Sequence, residues 1–212
     1  MIDKIRQKVN TFITNLEEEE QRVVMITPEE LMGSPEPDLR VIGLFSDVAE
    51  DKVAELVHAL LYLNELNISS KEETKKPIKF YLSTYGGSAD DMFALYDVMR
   101  LVQSETEIHT VGMGKVMSAG VLLLAAGTKG ERRIGKHCRV MIHSAMAGSH
   151  GSLPNLVNEL EALQQLEEEY INALVSETKM TKEEIKNMLE RKVNVYLSAE
   201  EAVKLGIADI II

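Results

Sequence analysis

An α/β fold of repeated βαβ units is what this sequence predicts, and three observations predict it. Short apolar strands open at residues 40, 78, 108 and 139, separated by 38, 30 and 31 residues, the room that a strand, a crossover helix and two connections require. Amphipathic helical patterns fill those intervals. With 45% of its 212 residues hydrophobic, the chain can bury one sizeable core. Parallel pairing with right-handed crossovers is then the default topology.

Taken in order, residues 1–39 stand apart. A short polar helical pattern leads to the acidic run Glu17 to Glu20 and then to Met32-Gly33-Ser34-Pro35-Glu36-Pro37, where two prolines break any regular element. This stretch reads as an N-terminal appendage and linker, with residues 40–212 as the folded domain. Arg40 to Phe45 is the first strand. Asp51 to Leu66 carries Val53, Leu56, Val57, Leu60 and Leu63 on one helical face, and Asp47 and Glu50 suit its start. Ile78 to Leu82 is a strand, Ala89 to Gln103 a helix, Ile108 to Gly112 a strand, Ser118 to Ala126 an apolar helix and Arg139 to His143 a strand. A long helix over Asn155 to Thr178 repeats Leu156, Leu160, Leu163, Tyr170 and Leu174 at near-heptad spacing. That seam suits contact with a second subunit and packing on its own domain equally well. Short helices follow at Lys182 to Glu190 and Ala199 to Leu205, and Ile207 to Ile212 closes the chain as a strand.

Composition excludes several classes. The formal charge of −11 repels phosphate backbones and anionic headgroups, so neither nucleic acid nor a membrane surface is an expected partner. Apolar runs such as Val121 to Ala126 are far too short to span a bilayer, and no secretion signal opens the chain. Cys138 is the single cysteine, which excludes a disulfide scaffold and fits a reducing, cytoplasmic location.

Chemistry concentrates where strands meet helices. Tyr85-Gly86-Gly87-Ser88 joins a strand to a helix, where paired glycines let backbone NH groups approach a ligand. Gly112-Met113-Gly114-Lys115-Val116-Met117-Ser118-Ala119-Gly120 reads as a second such turn. It is not a P-loop, since Val116 follows the Gly-Lys pair, nor a Gly-x-Ser-x-Gly elbow, since Val116 holds the first glycine position. Ser118 has two readings: the N-cap of an apolar helix, or a nucleophile beside free NH groups that lacks only a base. Of the five histidines, His58 and His109 suit surface or packing roles, His137 precedes Cys138 without further ligands at metal spacing, and His150 lies in a glycine-rich stretch. His143 ends the strand after the serine helix, on the rim where strand ends and helix starts converge.

Met113-Gly114 through Ser118 to Gly127, then Arg139-Val140-Met141-Ile142-His143, then Leu197-Ser198-Ala199-Glu200-Glu201-Ala202 and Leu205-Gly206-Ile207-Ala208-Asp209 together resemble the ClpP family, the proteolytic subunits of ATP-dependent Clp proteases. The 25 residues from Ser118 to His143 match the family's serine-to-histidine separation. The resemblance implies a ClpP/crotonase-like fold with a protruding helical handle, and a serine endopeptidase that cleaves unfolded polypeptide through an acyl-enzyme. It implies Ser118 as nucleophile, His143 as general base, Gly87 and Ala119 as oxyanion-hole donors, and Gly86 with Ala147, Gly148, Ser149, His150 and Gly151 as the substrate-binding segments. It further implies two stacked heptameric rings of this chain, fed by a Clp-type ATPase, with no cofactor of its own because ATP is used only by that partner.

Three departures accompany the likeness. The family's catalytic aspartate, counted back from the Leu-Ser-Ala motif, corresponds here to Asn194; counted forward from His143 it corresponds to Lys192. Asn194 is preferred, because its carboxamide oxygen can accept the histidine NH whereas a lysine offers only donors. Tyr85 stands where the family usually has proline, and Lys115-Val116-Met117 replaces smaller, uncharged residues. The first 39 residues do not resemble the family's axial loops, which bears on ATPase docking. Alternatives are a weakly active ClpP-like structural subunit of a mixed ring, a crotonase-type thioester enzyme, and a Ser-Lys peptidase using Lys115.

Overall fold

A computed structural model describes residues 39–70, 75–190 and 193–212. The appendage and linker assigned to residues 1–39 lie outside the described residues apart from Leu39, as does Lys192. The elements are β1 (Val41–Leu44), α1 (Glu50–Ser69), β2 (Ile78–Thr84), α2 (Ala89–Val102), β3 (Ile108–Met117), α3 (Ala119–Ala125), β4 (Arg133–Ile134), β5 (Arg139–Ile142), α4 (Leu153–Glu177), α5 (Lys182–Glu190), β6 (Val195–Leu197), α6 (Ala199–Lys204) and β7 (Ile210–Ile211). The repeated βαβ architecture is therefore present, with parallel pairing of β1 to β2 and of β2 to β3.

Beyond β2 the sheet forks. Leu82 pairs with Gly112 and Thr84 with Val116, so Met113, Gly114 and Lys115 on β3 lie opposite the single residue Ser83. This bulge divides β3 in two. Its first half pairs with β4, which pairs with β7, while Lys115, Val116 and Met117 pair in parallel with Arg139, Val140 and Met141 of β5. The stretch from Gly112 to Met117, expected as a turn, is strand. Its glycine punctuation is a bulge signal, with Gly114 at φ 66°, and a bulge bends a strand without ending it. Two strands escaped the sequence, β4 and β6. Each is only two or three residues long, too short for alternation to register, and β6 runs antiparallel on β5.

The core explains the apolar helix. All seven residues of α3 are buried, because it touches β2, β3, β5, α2 and α4; a helix apolar all round belongs in an interior. The long helix α4 divides along its length. Its C-terminal half buries Ile171 and Leu174 against the domain, whereas Leu153, Val157 and Leu160 of its N-terminal half are 75%, 45% and 56% exposed. Among the described residues, no helix is long and apolar enough to cross a membrane.

A buried ionic network ties the end of α4 to the sheet. Arg132, 3% exposed, grips the Asp209 carboxylate from Nε at 2.7 Å and Nη2 at 2.6 Å, and donates from Nη1 to the carbonyls of Glu177 at 2.7 Å and Ala125 at 3.1 Å. The Glu177 carboxylate, also buried, accepts from Tyr96 Oη at 2.9 Å, Arg100 at 3.0 Å and Lys129 at 2.7 Å. Burial alone would raise the Asp209 carboxyl, but Arg132 and the Gly130 NH outweigh it and hold the group below its ordinary value. A depressed carboxylate contributes stability above its unfolded value, near pH 4, and loses it as pH falls through the folded value. Arg132→Met leaves Asp209 and the Glu177 carbonyl without their guanidinium, and urea denaturation at pH 7 is expected to show a loss of about 3–5 kcal/mol. The difference between this variant and the parent should narrow as pH is lowered below about 4.

Candidate active site

The bulge aims the end of β3 at Ser118. There the backbone takes φ 52° and ψ −123°, and among the described residues Ser118 is the one non-glycine with positive φ. Such a conformation costs on the order of 1–3 kcal/mol and persists only where its surroundings enforce it. They do so from three sides. The Ser118 NH donates to the Met141 carbonyl of β5 at 2.8 Å, the Ser118 carbonyl accepts from Val121 at 2.9 Å, and Tyr170 Oη of α4 donates to the same carbonyl at 3.1 Å. Burial pushes the Tyr170 phenol up, which keeps it a donor. The Ser118 side chain makes no capping hydrogen bond to α3, so the N-cap reading does not account for its hydroxyl. The turn has the strained strand-to-helix form of a nucleophile elbow, although the first glycine of that motif is Val116.

The Gly86-Gly87 pair is wedged between this turn and the β1–α1 connection. A Cβ on Gly86, at φ 102°, would stand 2.6 Å from Ser118 Cβ and 2.9 Å from the Met117 carbonyl. A Cβ on Gly87 would stand 2.1 Å from the Val48 carbonyl. Val48 NH donates to the Gly86 carbonyl at 2.7 Å and Ser88 NH to the Val48 carbonyl at 2.9 Å. In this parallel bridge the NH of Gly87 itself points away from Val48. Ala119 opens α3, and a first-turn NH has no intrahelical acceptor. Both donors thus flank Ser118 uncommitted to those partners.

Ser118 and His143 line one cleft of about 360 Å³ together with Gly87 and Ala119, large enough for a peptide side chain. Met92 of α2, Leu163, Leu166 and Tyr170 of α4 and Leu189 of α5 supply apolar walls, and Tyr85 stands at the mouth. The His143 Nδ1 lies 2.6 Å from the Ser144 carbonyl. A carbonyl only accepts, so Nδ1 carries the proton and Nε2 of the neutral ring keeps its lone pair. Asn194 is exposed and its Nδ2 donates to Tyr196 Oη at 3.5 Å; it is not among the residues lining the cleft.

Ala147 to Gly151 carries no regular structure and is exposed, and among the described residues none hydrogen-bonds to its backbone. Lys115 stacks its ammonium 4.5 Å above the Tyr85 ring, on strand rather than on a turn. Cys138 is buried, with its thiol pushed up to about 11, and His109 meets Glu107 at 2.9 Å. Two polar residues of the cleft escaped the sequence. Ser144 meets His143 through its carbonyl, which no side-chain pattern betrays. Glu167 lies inside the acidic run Glu167-Glu168-Glu169, which reads as a solvated face.

The family model described as Clp protease matches residues 37–212. The chain is 34% identical over 173 residues to the ATP-dependent Clp protease proteolytic subunit 1 of Prochlorococcus marinus subsp. pastoris, covering 82% of this chain and 83% of that one. It is 33% identical over 174 residues to a proteolytic subunit 3 of a Synechococcus species and 35% identical over 175 residues to a proteolytic subunit 2 of Prochlorococcus marinus, each covering 82% of both chains.

The glycine wedge is testable without any assay of activity. Gly86→Ala forces a Cβ onto the Ser118 turn at a φ that L-residues rarely adopt, and chemical denaturation is expected to register a loss of about 1–3 kcal/mol. Unchanged stability would show that the turn is not held by this contact.

Proposed function

The chain belongs to the Clp protease family and is a serine-type endopeptidase; from that premise we propose that it cleaves unfolded polypeptide at Ser118, inside a cytoplasmic oligomer of its own copies supplied by a Clp-type ATPase. The observation that carries the reading is the strained Ser118 turn with its hydroxyl uncommitted, in one cleft with a histidine whose Nδ1 is already engaged.

In the first step Ser118 Oγ attacks the scissile carbonyl carbon and its proton passes to His143 Nε2. Negative charge collects on the former carbonyl oxygen, where the NH groups of Gly87 and Ala119 stabilise it. Collapse expels the amine, which takes the proton from the imidazolium, and leaves an ester on Ser118. A water then gives its proton to His143 and attacks the ester, releasing the acid and restoring the hydroxyl. The orienting role that an aspartate plays elsewhere falls here to the Ser144 carbonyl, and Asn194 is not needed for it. The unpaired backbone of Ala147 to Gly151, with Gly86, suits an extended substrate added as a strand. ATP belongs to the partner's work, and none of these steps uses a cofactor. The exposed apolar face at Leu153, Val157 and Leu160 suits a contact between copies, and two stacked heptameric rings are the arrangement we propose.

Ser118→Ala is expected to abolish labelling by a fluorophosphonate and to lower hydrolysis of unfolded casein by about 10³-fold or more, His143→Ala by a comparable factor, while Asn194→Asp should leave the rate within about twofold. Hydrolysis that survives Ser118→Ala would remove the reading. Leu160→Glu places a charge in the proposed contact, and native mass measurement should find smaller species with little peptidase activity; a monomer with full activity would refute enclosure.

A further inference from the structure

The peptide bond between Ser144 and Ala145 is engaged at both ends. Its carbonyl accepts the His143 Nδ1 proton at 2.6 Å, and its NH donates to Glu167 Oε2 of α4 at 3.1 Å. Hydrogen bonds at the two ends of one amide polarise each other: a carboxylate on the NH raises electron density on the oxygen and strengthens what that oxygen accepts. Among the described residues, Glu167 supplies the only carboxylate that lines the cleft. Its neighbour Glu168 is engaged elsewhere, with Lys182 and with Lys186 at 3.2 Å.

We propose that Glu167 is a positioning residue for the reaction, fixing and charging the Ser144 carbonyl so that it holds His143 and supports the imidazolium. The proposal rests on His143 being the general base. The array then runs from Ser118 through His143 and one peptide group to a carboxylate on the handle. Orientation comes from two fixed hydrogen bonds, and the negative charge missing beside the ring is supplied one amide away. It also makes the seating of α4 a condition of activity, because the same helix carries Tyr170 to the Ser118 carbonyl.

The test is steady-state hydrolysis of an internally quenched peptide by the full assembled chain, comparing Glu167→Gln, Glu167→Leu and Glu168→Gln. Glutamine keeps an acceptor for the Ala145 NH but loses the charge; leucine loses both. The expected result is a fall in kcat of about tenfold for Glu167→Gln and about a hundredfold for Glu167→Leu, with KM within about twofold. Melting temperature and native mass should be unchanged, and Glu168→Gln should behave as the parent. The proposal is overturned if both Glu167 variants keep kcat within twofold of the parent, if Glu168→Gln falls equally, or if the loss tracks lost assembly. Ser118→Ala run alongside separates the cases: if it stays active the assignment of the site fails, whereas if it is dead and Glu167→Gln is not, only the role of Glu167 fails.

Discussion

The backbone strain at Ser118 is the constraint on which the rest of the structure depends. A φ of 52° on a serine is tolerated only because the next residues plunge straight into the core. Val121, Leu122, Leu123 and Leu124 are fully buried, and burying even one such side chain contributes about 1.5–3 kcal/mol, enough to offset a local cost of about 1–3 kcal/mol. The strained turn and the apolar helix are therefore one device. The helix anchors its own start, and the turn leaves Oγ free of the cap that a relaxed start would have given it.

The bulge in β3 makes that device possible. Three residues opposite Ser83 change the direction of the strand, so that its second half leaves β4 and takes β5 as neighbour. Val116 and Val140 both point into the core, while β5 carries His143 to the same rim one residue beyond Ile142. Without that change of direction Lys115 to Met117 would not pair with β5, the strand that leads to His143 in the cleft shared with Ser118.

The handle helix serves two ends of the molecule. Its last turn is held by Arg132, Arg100, Lys129 and Tyr96 around Glu177, so the buried Glu177 carboxylate is paired, although Arg100 Nε is left without a hydrogen-bond partner among the described residues. Two and nearly three turns earlier, Tyr170 and Glu167 reach the carbonyl of Ser118 and the peptide between Ser144 and Ala145. One helix thus joins the ionic cluster at Glu177 to the cleft, while its first half leaves Leu153, Val157 and Leu160 exposed.

The succession of βαβ units and the apolar helix after Ser118 were legible in the sequence, because periodicity and strand-end topology are local properties that hydrophobic pattern records directly. Element ends at Glu50 and Ser69, or Leu153 and Glu177, moved by only a few residues from those expected. Other features were decided by tertiary structure alone. Whether Gly112 to Met117 forms a turn or a bulged strand depends on which neighbour is present to pair with it. The support of His143 by a main-chain carbonyl is invisible to any residue pattern, since every residue has a carbonyl. An acid in a run of three acids is distinguished only by where it points: Glu167 and Glu168 are chemically identical in the sequence, and only the rotation of α4 against the domain turns one toward the cleft and leaves the other to lysines.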